Sequence, residues 1–215
     1  MLELVGISKH HGGPGAFAVA LPTFDIRVNA GEVVALAGPS GCGKSTALRI
    51  AAGLEEPSTG TVRIGGRDVT SLTAAQRDVA MVCQSPTLQA HLTVFENMAF
   101  ALRARALDER ELGDRVATAA ATVGIEHLLE RWPRQLSAGQ RQRVALGRAI
   151  ARSPRVFLLD EPLAWLDPDA RTSLRHALSR VLAATSAAAL VVTHDAAEAA
   201  ALGARVVSLA ALRAA

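Results

Sequence analysis

The chain has 215 residues, of which 50% are hydrophobic and 20% are charged, and its formal net charge is +3. A chain of this size can bury a sizeable core, and we expect one domain over residues 1–215 with subdomains. Aromatic residues make up only 3% and no dense basic tract occurs, so direct nucleic-acid binding is not expected. Two cysteines are too few for a disulfide framework or a structural zinc site.

The sequence contains no apolar stretch long enough to cross a bilayer, because polar residues interrupt the alanine-rich tail that begins at Ala183. The N-terminus also lacks the basic region and apolar core of a secretion signal. We therefore expect a cytoplasmic protein that is held at a membrane only through partner chains.

Short strands with glycine turns are predicted over residues 1 to about 30 and again over 61–70, around Gly65 and Gly66. These segments suggest an N-terminal antiparallel β-subdomain. From Thr93 onward the pattern becomes helical, and we expect an inserted α-helical subdomain at about 85–150.

A glycine-rich loop lies between an apolar run, 33–37, and a predicted helix, 45–52. The spacing is Gly, four residues, Gly-Lys-Ser, which is typical of a phosphate-binding loop. In such a loop the backbone N–H groups face the phosphates, Lys44 contributes a charge and Ser45 offers a hydroxyl to Mg²⁺. The alternative is a structural strand-to-helix turn. The candidate nucleotide-binding residues are Gly38, Pro39, Ser40, Gly41, Cys42, Gly43, Lys44, Ser45 and Thr46.

Three capping-box spacings occur in the predicted helical region. Those at Thr93 and Asp108 predict two helix starts, and Gly124 predicts the end of the second helix. The third, from Ser137 to Gln140, precedes a predicted helix over 141–152. This last segment is either simply a well-capped helix or a docking place for a phosphate held by a partner molecule, because the phosphate at Lys44 already has its own helix N-terminus.

Two carboxylates, Asp160 and Glu161, follow the apolar strand predicted at 156–159. A carboxylate at the end of such a strand is placed to hold Mg²⁺ beside a phosphate loop, and the next one is placed to deprotonate an attacking water. A pair of acids that merely caps the strand is the alternative. The phosphate loop upstream favours the catalytic interpretation.

These motifs resemble the ATP-binding cassette family, the nucleotide-binding subunits of transporters, over nearly all of the chain. Its most specific marks are the phosphate loop, the segment 136–140 (hereafter the signature segment), and the strand that ends in the two carboxylates. Three further marks come in the family's order: Gln84, Asp167 after Leu166, and His194. The resemblance implies an α/β fold, that of a P-loop nucleoside triphosphate hydrolase, with a mainly parallel core sheet, an N-terminal antiparallel β-subdomain and an inserted α-helical subdomain.

The resemblance also implies a head-to-tail homodimer or heterodimer in which ATP lies between the phosphate loop of one subunit and the signature segment of the other. By that resemblance Glu161, His194 and Gln84 are catalytic, and Asp167 lies at the dimer interface. Mg²⁺ would be held by Ser45, Gln84 and Asp160. The signature residues that contact ATP from the opposite subunit are Ser137, Ala138, Gly139 and Gln140.

The chain departs from the family pattern at several positions. Ala138 replaces the usual glycine of the signature, which adds a methyl group near a phosphate. Trp165 stands where the family more often has a small or polar residue, and it is either an aromatic anchor between subunits or a core tryptophan. Since the chain has no tyrosine, His11 aligns best with the position that stacks on adenine, with Phe17 as the substitute.

Segments 91–100 and 140–148 look like those of importers of sugars, polyamines, inorganic ions or thiamine. We therefore expect an ATPase subunit that works with transmembrane permease subunits and a solute-binding protein, peripheral on the cytoplasmic face of the membrane. An exporter or lipid-handling ATPase is one alternative, and a soluble ATPase acting on nucleic acid or ribosomes is another. Because the sequence ends at Ala215, we expect no regulation through the C-terminal domain that many relatives carry.

Overall fold

The computed structural model describes residues 1–11, 18–103, 107–164 and 166–209. The chain divides into two compact units. The first unit consists of Met1–Met81, Arg155–Asp160 and Leu182–Ala215. The second unit consists of Val82–Pro154 and Glu161–Val181.

An antiparallel sheet forms part of the first unit. Its strands are β1 (Leu2–His11), β2 (Ala18–Val28), β4 (Thr59–Ile64) and β5 (Arg67–Asp68). They lie in the order β2-β1-β4-β5 and every pair of neighbours is antiparallel. Gly60 has a φ of +93°, and a Cβ there would collide with the carbonyl oxygen of Gly6, so β4 can approach β1 this closely only with glycine. The predicted antiparallel β-subdomain is confirmed.

A second sheet also lies in the first unit, apart from one residue. Its strands are β3 (Val33–Ala37), β6 (Val79–Val82), β7 (Val156–Asp160), β8 (Ala188–Val192) and β9 (Arg205–Ser208), and only Val82 belongs to the second unit. Their spatial order is β6-β7-β8-β3-β9. β3 pairs in parallel with β8 and β9, and β7 pairs in parallel with β8. All of β8 and the first four residues of β7 are buried, as expected for strands covered on both faces. The predicted mainly parallel sheet is confirmed.

Helix α1 (Lys44–Ala52) follows β3 after the glycine-rich loop. The helix predicted from the sequence, 45–52, begins one residue later than the observed one. Its carboxyl end is held by Arg77, which is 2% exposed. The guanidinium of Arg77 donates to the carbonyl oxygens of Ile50 and Ala51 at 2.7 and 3.0 Å, and to that of Thr70 at 2.8 Å. A cation at this end of a helix satisfies its last carbonyls and opposes the helix dipole. Arg77 therefore stabilises the helix that begins at the phosphate loop.

Helices form the second unit: α2 (Val94–Arg103), α3 (Glu109–Val123), α4 (Ala138–Arg152) and the part of α5 (Pro168–Ala184) up to residue 181. The predicted caps at Thr93 and Asp108 are confirmed, because each side-chain oxygen accepts a hydrogen bond from the backbone N–H three residues later. The predicted helix end at Gly124 is also confirmed, with φ of +69°. Short helix α6 (Ala196–Ala201) belongs to the first unit.

Helix α4 approaches its neighbours closely at Gly147. A Cβ there would lie 2.9 Å from Met98 Cε on α2 and 3.3 Å from Val123 Cγ2 on α3. Gly113 on α3 differs, because a Cβ there would meet no atom within 4 Å. Gly113 and Gly147 thus differ in the space around them.

We expect Gly113→Ala to stabilise the protein more than Gly147→Ala does. Alanine at Gly113 adds helix propensity without a clash and should stabilise the protein by about 0.5–1 kcal/mol. Alanine at Gly147 adds the same propensity, but its Cβ must displace the terminal methyl of Met98 and crowd Val123, which offsets the gain. Thermal unfolding of both variants against wild type compares the two effects, and an equal or larger stabilisation by Gly147→Ala would contradict this packing.

Within the described residues, none of the helices combines the length and the apolar character needed to cross a membrane.

Candidate functional site

The glycine-rich loop between β3 and α1 has a backbone that requires glycine at several positions. Gly41 and Gly43 have φ of +76° and +100°. A Cβ at Gly43 would lie 2.7 Å from the carbonyl oxygen of Ala20, so that position has neither the backbone freedom nor the space for another residue. The loop delivers the chain directly into the first turn of α1, whose free N–H groups favour an anion.

Lys44 is the first residue of α1, and its side chain folds back over the loop. It is 6% exposed, and its Nζ donates to the carbonyl oxygens of Gly38 and Pro39 at 2.8 and 2.9 Å. The positive charge therefore lies against the loop predicted to hold phosphates. An ammonium held at this point is placed to attract the β and γ oxygens of a nucleotide.

Ser45 and Asp160 are brought together within the first unit although 115 positions separate them in sequence. The Ser45 hydroxyl donates to Asp160 Oδ1 at 3.2 Å. Asp160 is the last residue of β7. A hydroxyl next to a carboxylate beside a phosphate loop is a set of hard oxygen donors that suits Mg²⁺, which prefers one or two protein oxygens together with phosphate oxygens and water.

Two predicted histidines also belong to the first unit. His194 is exposed and lies two residues beyond the end of β8. His11 ends β1, its side chain is 60% exposed, and its Nε2 lies 3.7 Å from Glu55 Oε1. Glu55 also lies near Lys9 and Arg49, at 3.8 and 3.5 Å. The predicted adenine-stacking residue is therefore next to a carboxylate surrounded by basic groups, which sequence spacing did not indicate.

Glu161 and Gln84 meet within the second unit. Gln84 Nε2 donates to Glu161 Oε2 at 3.0 Å. Glu161 has a φ of +46°, in the left-handed region that non-glycine residues rarely adopt. Such conformations persist only where the surroundings fix them, and they concentrate at functional sites.

The signature segment forms the predicted capping box at the start of α4. Ser137 Oγ accepts from the Gln140 backbone N–H at 3.2 Å, and Gln140 Oε1 accepts from the Ser137 N–H at 2.9 Å. Ser137 and Ala138 are exposed. Gly139 is closely covered on one side, because a Cβ there would lie 3.1 Å from Leu166 Cδ2. The segment thus presents a capped helix N-terminus at the surface of the second unit.

Asp167 is exposed and immediately precedes α5, and its Oδ1 accepts from the Ala170 N–H at 2.9 Å. This is an N-cap, which fixes the start of the helix. Trp165 and Phe17, the predicted interface anchor and the substitute for adenine stacking, lie outside the described residues.

Two polar residues of α4 that the sequence analysis did not single out contact the same region of the second unit. Arg148 donates to the carbonyl oxygen of Thr87 at 3.2 Å, three residues after Gln84. Burial lowers the pKa of Arg148 below its usual value, and an electrostatic interaction with Cys83 opposes that shift. Gln142, which is 1% exposed, donates to the carbonyl oxygen of Pro162 at 2.7 Å. A helical wheel would have placed Gln142 on the buried stripe of α4, where a polar residue is unusual.

Each unit therefore gathers part of the predicted site. The first unit brings the phosphate loop, Lys44, Ser45 and Asp160 together, and it also carries His194 and His11. The second unit brings Gln84 to Glu161, and it also carries the signature segment and Asp167. The catalytic and binding roles of these residues stay predictions.

A family model described as "ABC transporter" matches residues 21–164. The chain is 50% identical over 184 residues to the "Uncharacterized ABC transporter ATP-binding protein YurJ" of Bacillus subtilis, which is 86% of this chain and 50% of that protein. It is 48% identical over 206 residues to the sn-glycerol-3-phosphate import ATP-binding protein UgpC of Chromohalobacter salexigens, which is 96% of this chain and 55% of that protein. It is 46% identical over 196 residues to the diacetylchitobiose uptake system ATP-binding protein MsiK of Streptomyces coelicolor, which is 91% of this chain and 52% of that protein.

The chain thus spans about half the length of the curated relatives it matches. Among solved structures, the dimeric post-hydrolysis state of the ATP-binding cassette MJ0796 bound to ADP and Pi is similar, with a TM-score of 0.88 and 29% sequence identity. The likeness covers 97% of this chain and 94% of that one. The predicted fold class, an α/β P-loop nucleoside triphosphate hydrolase, is confirmed.

Proposed function

Because this chain belongs to the ABC transporter family, we propose that it is the ATP-binding and ATP-hydrolysing part of a membrane transporter that imports a solute. The observation that carries the proposal is the arrangement at the phosphate loop. There Lys44 lies against the loop carbonyls and the Ser45 hydroxyl is 3.2 Å from Asp160 Oδ1. The same loop and carboxylate chemistry holds triphosphates in other P-loop proteins.

Nucleotide binding is assigned to residues 38–46, with His11 at the adenine. Ser45 and Asp160 would hold Mg²⁺, which when bound neutralises charge on the β and γ phosphates. Gln84 is proposed as a further ligand from its place in the sequence pattern alone. The backbone N–H groups of the loop and the charge of Lys44 hold the phosphate tail in line for transfer.

Glu161 is assigned as the general base. Its carboxylate takes a proton from water as the water oxygen bonds to the γ phosphorus, and the bond from that phosphorus to the β–γ bridging oxygen breaks, which leaves ADP and inorganic phosphate. The hydrogen bond from Gln84 orients the Glu161 carboxylate. His194 is assigned a contact to the γ-phosphate. Because Asp160 and Glu161 are consecutive, the metal-binding carboxylate and the base are joined by one peptide bond.

Two copies, or this chain and a homologous partner, are proposed to enclose ATP head to tail. The phosphate loop of one copy faces the α4 N-terminus of the other, with Ser137, Ala138, Gly139 and Gln140 toward the γ-phosphate. An exposed and capped helix N-terminus with a glycine in its first turn suits an incoming phosphate. Asp167, and Trp165 by sequence, would lie at the same interface. Support comes from the likeness to MJ0796, which was solved as a dimer.

The partners proposed are transmembrane permease subunits and a solute-binding protein, with this chain peripheral on the cytoplasmic face of the membrane. Support comes from the names of relatives that act in sn-glycerol-3-phosphate import and diacetylchitobiose uptake. Carbohydrate-like solutes of these two kinds are accordingly the first to test.

The test is solute uptake in cells that express this chain from its own locus. Deleting the gene should abolish accumulation of labelled sn-glycerol 3-phosphate or of diacetylchitobiose, and re-expression should restore it. Uptake of a solute that uses an unrelated route serves as the control. Wild-type accumulation of both solutes in the deletion strain, together with loss of an efflux activity, would instead favour an exporter.

A further inference from the structure

We propose that Gln142 is a positioning residue for hydrolysis, because it fixes the backbone that holds Glu161 in its left-handed conformation. The inference rests on the proposed function, in which Glu161 is the general base. It assigns no contact between Gln142 and ATP. Gln142 acts on Glu161 through the carbonyl group of the next residue, Pro162.

The contact is direct and buried. Gln142 lies in the second turn of α4, it is 1% exposed, and its Nε2 donates to the Pro162 carbonyl oxygen at 2.7 Å. This bond joins the helix that begins at the signature segment to the residue that follows Glu161. Both ends of the bond lie within the second unit.

The Gln142 side chain also has an energetically unfavourable feature, which packing alone does not explain. Gln142 Oε1 is buried and has no hydrogen-bond partner among the described residues. An unsatisfied buried acceptor is unfavourable, and methionine or leucine would fill a similar volume without one. What glutamine supplies, and these residues do not, is the N–H that reaches Pro162.

Glu161 needs such support because its φ of +46° is unfavourable for a side chain with a Cβ. The turn after it is closed by two backbone bonds, from Ala164 N–H to the Glu161 carbonyl at 3.2 Å and from Leu166 N–H to the Leu163 carbonyl at 3.4 Å. The hydrogen bond from Gln142 fixes the Pro162 carbonyl, which lies between the carbonyls of Glu161 and Leu163 in the chain. It thereby sets the direction in which the Glu161 side chain leaves the backbone toward Gln84.

The test compares Gln142→Met with wild type in steady-state ATP hydrolysis and in unfolding. The expected result is a fall in kcat of roughly 10- to 100-fold, because a displaced base loses alignment with the water, while KM for ATP changes by less than about twofold. Leu146→Met, a volume-conserving change at a buried apolar position on the same helix, is the matched control and should keep wild-type kcat. The unfolding midpoints of the two variants should be similar.

The decisive arm is the same substitution in a Glu161→Gln background. If Gln142 acts through Glu161, Gln142→Met should alter the residual turnover of that background by less than about twofold. An equal fall in both backgrounds, or a rise in KM with kcat unchanged, would overturn the inference. Gln142→Leu is the second donor-free variant, and it decides the question if the Met variant does not unfold cooperatively.

The outcomes also separate this inference from the function on which it rests. A Gln142→Met protein with wild-type kcat overturns the inference alone. A wild-type protein without ATPase activity, or a Glu161→Gln protein at full activity, overturns the assignment of Glu161 and this inference with it.

Discussion

Replacing Glu161 with Gln is expected to lower ATP turnover by at least about 10²-fold while ATP affinity stays within about threefold of wild type. The amide keeps the size of the side chain and can still meet Gln84, but it cannot take a proton from water. Because the phosphate loop and Lys44 are unchanged, binding should survive. Phosphate release measures turnover, and calorimetric titration with ATP measures affinity.

Glu126→Gln is the matched control for this variant. Glu126 is an exposed glutamate of the same unit, outside the proposed site, and its loss removes the same charge. It should hydrolyse ATP at the wild-type rate. A Glu161→Gln protein that does the same would remove Glu161 from the reaction.

Replacing Lys44 with Ala is expected to abolish productive ATP binding. The substitution removes a buried ammonium that lies 2.8 Å from the Gly38 carbonyl oxygen, and with it the charge that would face the phosphates. Loss of a charge-assisted contact of this kind should weaken ATP binding by roughly 10²-fold or more. Turnover should disappear at ATP concentrations that saturate wild type.

Lys9, the other lysine of the chain, supplies the control. Its Nζ donates to the Glu56 carbonyl oxygen at 2.7 Å, outside the phosphate loop. Lys9→Ala should leave ATP affinity within about threefold of wild type, since Lys9 pairs with Glu55 at 3.8 Å and neither residue is assigned a contact to the phosphates. Wild-type affinity in a folded Lys44→Ala protein would refute the assignment of the loop.

Local patterns in the sequence predicted the elements that carry the site. The capping boxes at Thr93 and Ser137 located helix starts because their hydrogen bonds span only three residues. The apolar run before Asp160 predicted a buried strand for the same reason, since its pattern is contained in five residues. The phosphate loop combines fixed spacing with glycines that the backbone requires.

Contacts between distant residues could not be predicted in this way. The hydrogen bonds from Gln142 to Pro162 and from Arg148 to Thr87 span 20 and 61 positions and have no periodic pattern. The left-handed φ of Glu161 is equally hidden, because glutamate gives no local indication of it. The proximity of His11 to Glu55 depends on how β1 lies beside the segment after α1, which tertiary packing decides.

The most direct test of the central claim is ATP turnover per chain across a dilution series of the purified protein. If two copies enclose each ATP, turnover per chain should rise with protein concentration and reach a plateau as dimers form, and Gly139→Asp, which places a charge at the signature segment, should remain inactive throughout. A preparation that stays monomeric by light scattering and hydrolyses ATP at the same rate per chain at every dilution would contradict the claim.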